Sequence, residues 1–300
     1  MHKQFGKCSA PFLILHGGAG AQDPTNGGVA PATVALKQIA KTAIGLLLQT
    51  DNLLQVAAFC LKQMEDDPQF NAGLGSALQS DGVARLSAAL MMGHKQRFSG
   101  VAGATFTQNP SQLAIALQSR KARVLMQPGT ELLARELLLP IQSNLTTKRL
   151  ERFVQKSAEA HYAVTDLPHP EGSDTVGCVI INTQGEMVSA SSTGGRGFEY
   201  PGRMSDTPTI AGTYASRFAA IAATGHGEQI MDDAVAARLE TRVRDGLGLE
   251  SACLKTLTEA QEHKSRYGWI ALDQSGAWAV CTTTDNMPFV VISGETLVTS

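Results

Sequence analysis

The sequence predicts an α+β fold in which stacked antiparallel sheets are covered by helices. Three observations carry this reading. Strand-like segments arrive in hairpin groups, helical patterns fall between those groups, and 43% hydrophobic against 17% charged residues supplies a sizeable core for a 300-residue chain. A doubly wound parallel sheet fits this order less well.

Taken in order, Phe12-Leu13-Ile14-Leu15 reads as a short buried strand that runs into the glycine-rich turn His16-Gly17-Gly18-Ala19-Gly20. A helix follows over roughly Ala32–Leu48, with Val34, Ile39, Ala43 and Leu46 expected on one face. A second helix runs from about Leu53 to Met64, where Leu54, Ala57, Ala58 and Leu61 repeat at helical spacing, and Asp67-Pro68 ends the pair. Strands are expected near Leu86–Met92 and Val101–Phe106, and helices at Pro110–Ser119, Gly129–Leu138 and Thr146–His161. The stretch Val164–Asp174 contains Pro168, Pro170 and Gly172 and has no apolar period, so it reads as an exposed linker. It leads directly into a buried strand, Val176–Ile181, then the turn Thr183-Gln184-Gly185-Glu186 and a second strand at Met187–Ser192. A long helix over Gln229–Leu247, another over Ser251–His263, and strands at Trp269–Leu272, Trp278–Thr283 and Phe289–Ile292 complete the chain. There is no internal repeat, and one domain spanning 1–300 is expected.

The bulk numbers exclude several classes. A net charge of -2 gives no electrostatic reason to expect nucleic acid or an anionic membrane as partner. The apolar stretch Pro11–Leu15 is too short for a signal segment, and no run approaches a membrane span. Cys8, Cys60, Cys178, Cys253 and Cys281 are scattered without a CxxC pair, which reads as buried thiols in a reducing compartment. The cytoplasm is the expected location. No His/Cys cluster has zinc spacing, and His16–Gly20 lacks both the following Lys-Ser/Thr of a phosphate loop and a GxGxxG register.

The chemistry centres on Gly172-Ser173-Asp174-Thr175-Val176-Gly177, where the linker meets the buried strand. A threonine hydroxyl is a poor nucleophile without an adjacent base. A threonine at a chain N-terminus carries its own base, an α-amino group with a pKa of about 7.7–8.0. A mid-chain threonine reaches that state only if the preceding peptide bond is cut. A linker before it and a rigid strand after it is the layout such a cut needs. Alone, a threonine at the head of a strand is ordinary β-propensity.

Other blocks change that reading. Upstream stand His16-Gly17-Gly18-Ala19-Gly20 and Phe70-Asn71-Ala72-Gly73-Leu74-Gly75-Ser76. Downstream stand Ser192-Thr193-Gly194-Gly195, Pro201-Gly202-Arg203-Met204-Ser205-Asp206-Thr207-Pro208 and Thr224-Gly225-His226-Gly227-Glu228. In this order and spacing they resemble the plant-type asparaginase / isoaspartyl peptidase family of N-terminal-nucleophile threonine hydrolases, from His16 to about Gly227 and more loosely to the end. The resemblance implies a four-layer αββα sandwich, cut before Thr175 into an α chain of 1–174 and a β chain of 175–300. Asp174 and Thr175 form the cleavage site. Thr175 is implied as nucleophile and its freed amino group as base, with Thr193 positioning it. Thr224 and Gly225 are implied as the oxyanion hole. Arg203 is implied to grip the substrate α-carboxylate, as a planar guanidinium fork suits that group. Asp206 is implied as partner of the α-ammonium, with Gly227 also in the substrate site and Asn71 as a structural residue beside it. The substrates implied are L-asparagine and β-aspartyl dipeptides, with L-aspartate released. No catalytic cofactor is implied. A structural sodium ion is, held by the backbone carbonyls of Met64, Glu65, Asp67, Phe70, Ala72 and Leu74. The αβ pairs are implied to assemble as a homodimer.

Plainer readings stand beside these. Arg203 and Asp206 could form a surface ion pair, and Thr224-Gly225 could open a helix. His16 reads as structural, and the role of His226 is open. The sequence also departs from the family. Asp174 stands where this branch usually has glycine; aspartate there is the habit of glycosylasparaginases and threonine aspartases, the rival hydrolase readings. Ser87 and Met92 stand where the family favours aspartates, the feature that would fit a non-catalytic, ligand-binding paralogue.

Overall fold

The computed structural model describes residues 2–20, 28–159 and 175–300. The expected linker Val164–Asp174 and the end of the helix expected to reach His161 lie outside them. In chain order the elements are β1 (His2–Lys7), β2 (Phe12–His16), α1 (Ala30–Thr50), α2 (Leu53–Asp66), β3 (Leu86–Met92), β4 (Arg97–Ala104), α3 (Pro110–Ala116), β5 (Val124–Met126), α4 (Gly129–Glu136) and α5 (Thr147–Glu159). They continue as β6 (Val176–Ile181), β7 (Met187–Thr193), β8 (Thr213–Ala215), β9 (Ala219–Gly225), α6 (Gly227–Asp232), α7 (Val235–Arg244), α8 (Leu249–Glu262), β10 (Tyr267–Asp273), β11 (Ala277–Thr282), β12 (Phe289–Ser293) and β13 (Thr296–Thr299).

Two sheets organise these elements. One has eight strands in the order β13-β12-β2-β6-β7-β3-β4-β5, and the other has five in the order β1-β11-β10-β9-β8. All neighbours are antiparallel except β4 and β5. Strand alternation sets the layers. On β2, Phe12 and Ile14 pack with Val179 and Ile181 against Ala220, Ala222, Ile270 and Leu272 of the facing sheet. The intervening Leu13 and Leu15 turn the other way, onto Leu36, Ala43, Leu47, Val56 and Leu61 of α1 and α2. On the far side Ile221, Ala223, Trp269 and Ala271 meet Val235, Leu239, Ala252 and Leu257 of α7 and α8. The result is helix, sheet, sheet, helix: the αββα sandwich.

Local signals agree with most boundaries. Asn52 caps α2, its Oδ1 accepting the Gln55 N–H at 3.2 Å, a contact worth about 1 kcal/mol. Val34, expected on the buried face of α1, is instead 67% exposed. The buried stripe runs through Ala32, Leu36, Ile39, Ala40, Ala43 and Leu47. The helix expected over Gln229–Leu247 is two helices broken at Ala234, whose φ is +46°. The reason is tertiary: the N–H groups of Ala236 and Ala237, at the start of α7, donate to the carbonyls of Ala211 and Ile210. The second helix therefore starts on that loop rather than on the turn before it. β1, β5, β8, β9 and β13 were not anticipated. Among the described residues no helix is long and apolar enough to cross a membrane.

Candidate active site

Thr175 directly precedes β6 and is 2% exposed. β6 lies mid-sheet between β2 and β7. The register Val176↔Ser192 brings Thr175 beside Thr193, the last residue of β7, and Thr193 pairs on its other side with Ser87. Thr193 Oγ1 accepts the Gly195 N–H at 3.1 Å, so its hydroxyl is held by the loop that follows. From the facing sheet β9 delivers Thr224. Its hydroxyl donates to the Thr175 carbonyl at 3.3 Å and accepts the Ala19 N–H at 3.2 Å. The glycine-rich turn after β2, the head of β6 and the end of β9 are thereby joined at one point. Asp174, and with it the expected cleavage bond, lies outside the described residues.

Gly225 ends β9 with φ +125°, where a Cβ would fall 2.6 Å from Tyr267 Cα. Only glycine fits that conformation and that approach. The alternative of a helix start at Thr224-Gly225 is corrected: both are strand residues paired with β10, and α6 begins at Gly227.

Arg203 and Asp206 are not a surface ion pair. Arg203 is clamped by Glu228, to which Nε and Nη2 each donate at 2.9 Å. Arg196 Nη1 donates to the same carboxylate at 2.8 Å. Burial alone would raise the Glu228 carboxyl, but the Arg203 hydrogen bonds and charge, with the Arg196 charge, hold it down at about 2. The clamp takes one edge of the guanidinium; on the other, Nη1 stands 4.0 Å from Glu199 Oε1, beyond hydrogen-bond reach, so the Nη1 and Nη2 edge keeps donors for another carboxylate. Asp206 is 2% exposed and its Oδ2 has no hydrogen-bond partner. Burial pushes its carboxyl up to about 7, against the pull of the Arg203 charge. A buried carboxylate with a vacant oxygen is costly unless a cation arrives. Gly227 lies between the two: a Cβ there would sit 2.7 Å from Arg203 Nη2 and 2.8 Å from Asp206 Oδ1.

Behind Thr193, Asn71 ties the preceding loop to the site. It donates from Nδ2 to the Gly195 carbonyl and accepts the Ala77 N–H at 2.8 Å. Its own carbonyl accepts the Gly194 N–H at 2.8 Å. Glu65, at the end of α2, accepts from Ser192 Oγ at 2.7 Å, Ser111 Oγ at 2.7 Å and Ser111 N–H at 3.0 Å. Burial pushes its carboxyl up to about 7 despite those donors. Around the short turn Gly73–Gly75 that follows Asn71, main-chain oxygens crowd the glycines. The Glu65 and Gln108 carbonyls fall 2.2 and 2.6 Å from where a Cβ on Gly73 would lie, and those of Phe70 and Pro68 fall 2.0 and 2.5 Å from one on Gly75. The Asp67 and Ala72 carbonyls each also accept a loop N–H, from Phe70 and Gly75, at 3.2 Å. Neutral hard oxygens of this kind fit a cation such as sodium. Among the described residues no group of three or more His, Cys, Asp or Glu could hold a metal.

His16 is fully buried, and burial pushes its ring down to about 3, the Thr175 backbone partly opposing. A neutral ring pressed against Gly177, its partner across β2 and β6, is a packing element. His226 precedes α6, 3.5 Å from Glu228, and its ring is pushed down by burial and then by the Arg196 charge. Sequence reasoning missed Glu228, the link from Glu65 to Ser192, and the Ala19 N–H. Of these only Glu228 had a signal, its place directly after Gly227.

The sequence profile of the family described as Asparaginase matches residues 9–299. The isoaspartyl peptidase/L-asparaginase of Nostoc sp. is 38% identical over 294 residues, covering 95% of this chain and 92% of that protein. The protein of the same name from Synechocystis sp. is 39% identical over 277 residues, covering 89% and 84%. The one from Bos taurus is 29% identical over 286 residues, covering 93% and 92%.

Proposed function

The chain belongs to the asparaginase family, and on that premise we propose that it is a self-processing threonine hydrolase that releases L-aspartate from L-asparagine and from β-aspartyl dipeptides. The observation that carries this reading is the meeting of Thr175, Thr193 and Thr224 at the head of β6, with an arginine fork and a vacant buried carboxylate, Arg203 and Asp206, in the same chain.

In the processing step Thr175 Oγ1 attacks the Asp174 carbonyl. The acyl group shifts from nitrogen to oxygen, and water hydrolyses the ester. This leaves one chain of 1–174 and one of 175–300 with a free amino group on Thr175. In turnover that amino group takes the Thr175 hydroxyl proton as Oγ1 attacks the side-chain amide of asparagine or the isopeptide carbonyl. The Nη1 and Nη2 edge of Arg203 receives the substrate α-carboxylate, and Asp206 receives the α-ammonium. Thr224 Oγ1 and the Gly225 N–H stabilise the oxyanion, and Thr193 positions the nucleophile. Ammonia or the second amino acid leaves with a proton from the Thr175 amine. Water then releases aspartate from the ester. The loop carbonyls of Met64, Glu65, Asp67, Phe70, Ala72 and Leu74 would hold a sodium ion that steadies the loop carrying Asn71. The cut pairs act as a homodimer in the cytoplasm.

Assay of purified protein with L-asparagine and with a β-aspartyl dipeptide tests the reading. Aspartate from both is expected, and none from either would sink it. Two further outcomes follow. Both sheets interleave strands from each side of the 174/175 bond: β2, β3, β4 and β5 with β6, β7, β12 and β13, and β1 with β8 to β11. The cut chains are therefore expected to co-elute on gel filtration in native buffer and to part only in denaturant. Separation in native buffer would contradict this. Glu228→Ala frees Arg203 from its clamp. It is expected to raise KM about tenfold or more with a smaller change in kcat, and an unchanged KM would remove Glu228 from the site.

A further inference from the structure

A second polar cleft lies at the opposite end of the strands that carry the site. The turn after β3, the turn between β8 and β9, and the end of α7 enclose about 370 Å3, lined by His94, Gln96, Arg217, Phe218, Glu240 and Arg244, with Gly93 and Ser216 at the base. Seven-residue β9 separates it from Thr224-Gly225, roughly 20 Å of strand.

The walls are pinned. A Cβ on Gly93 would lie 2.2 Å from the Ser216 carbonyl, so the two turns touch. The Gly93 N–H donates to the Met187 carbonyl at 2.8 Å. Ser216 Oγ accepts the Phe218 N–H at 2.9 Å, and Gln96 Nε2 donates to Tyr214 at 2.8 Å. Glu240 is 1% exposed, yet its Oε2 has no hydrogen-bond donor. The cation facing it, Arg244 Nη1, stands 3.8 Å away, beyond hydrogen-bond reach. Arg217 is exposed, stacks over Phe218 at 4.9 Å, and among the described residues has no carboxylate at ion-pair distance. Nothing in the mechanism above uses these groups.

Their arrangement selects a ligand. A simple anion would meet the buried Glu240 carboxylate, and a metal cation would meet two arginines with one carboxylate to hold it. A zwitterion satisfies both ends, its ammonium on Glu240 and its carboxylate on Arg217 and Arg244. Arg244 Nε also donates to Asp245 Oδ1 at 3.3 Å, so two guanidiniums stand against two carboxylates and the cleft suits the balanced charges of a zwitterion. The volume falls in the range of small-molecule sites, about 300–1,000 Å3. We propose that this cleft is a second, non-catalytic binding site for a free α-amino acid. L-aspartate is one such ligand, and only its identity as a reaction product rests on the proposed function.

Equilibrium dialysis of radiolabelled L-aspartate against the purified protein tests this, with Arg203→Ala, Glu240→Gln and Arg217→Ala variants. Two aspartates per 300-residue chain are expected for the wild type, and one for Arg203→Ala. Glu240→Gln and Arg217→Ala are each expected to weaken the Arg203-independent site by about tenfold or more, with aspartate-releasing turnover in saturating substrate unchanged. A single aspartate per chain, lost in Arg203→Ala, would overturn the proposal. So would a second aspartate indifferent to both cleft variants. Arg217→Ala, on an exposed turn, decides the matter if Glu240→Gln does not fold. Arg203-independent binding in a protein that hydrolyses nothing would sink the proposed function and leave this site standing.

Discussion

Thr175→Ala is expected to remain a single 300-residue chain and to release aspartate at least about a thousandfold more slowly than the wild type. Two losses combine. Without Oγ1 there is no attack on the preceding carbonyl, so no amino terminus forms at this position. Without the hydroxyl there is no acyl-enzyme even if the chain were cut by other means. The fold is expected to survive, because the contact from Thr224 goes to the Thr175 backbone carbonyl, which alanine retains. A thermal melt within a few degrees of the wild type, beside a silent assay, separates loss of chemistry from loss of structure. Full activity in this variant would remove Thr175 from the mechanism.

Asp206→Asn is expected to lose about a hundredfold or more in kcat/KM and, at alkaline pH, to gain stability. Both follow from one buried carboxyl. Burial raises it from 3.8 to about 7 in the folded protein. The folded state therefore holds this proton more tightly than the unfolded chain across that window. The stability that this group contributes is full below about pH 4 and lost as pH rises through 7. An asparagine does not titrate. The variant should match the wild type near pH 4 and exceed it at pH 8 by on the order of a few kcal/mol. Function runs the other way. The ionised carboxylate is the form that receives the ammonium, so wild-type kcat/KM should fall as pH drops below 7. The Thr175 amine, needed as free base, adds a second fall, and the variant should keep only that second one. Melting curves at both pH values, with kcat/KM profiles, check these signs. A variant less stable than the wild type at pH 8 would contradict the account.

The hairpin of β6 and β7, the helices α1, α2 and α8, and the layered arrangement were legible because their apolar periods are strong. β9 was not. Its sequence, Ala-Ala-Ile-Ala-Ala-Thr-Gly, lacks the β-branched and aromatic run that marks a strand. Small residues stand there because the strand is buried on both faces, between the eight-stranded sheet and the covering helices. That hidden strand positions Thr224 and Gly225, so the sequence could name the two residues without saying what holds them. Short β8 and the polar edge strand β1 escaped for lack of any apolar period. The break at Ala234 carries no glycine or proline and depends on contacts with Ile210 and Ala211. At the site, the threonines and Arg203 were named through the family resemblance of the ordered blocks that carry them, not from their local sequence. The clamp by Glu228 and the vacancy of Asp206 Oδ2 could be read from neither, since both depend on segments brought together by the fold.

Thr175 becoming a chain terminus is the central claim, and intact-mass spectrometry with N-terminal sequencing of the wild type tests it most directly. The account predicts two polypeptides, 1–174 and 175–300, the second beginning Thr-Val-Gly-Cys. A wild-type chain that stays whole through long incubation, or is cut at another bond while releasing aspartate, would contradict it.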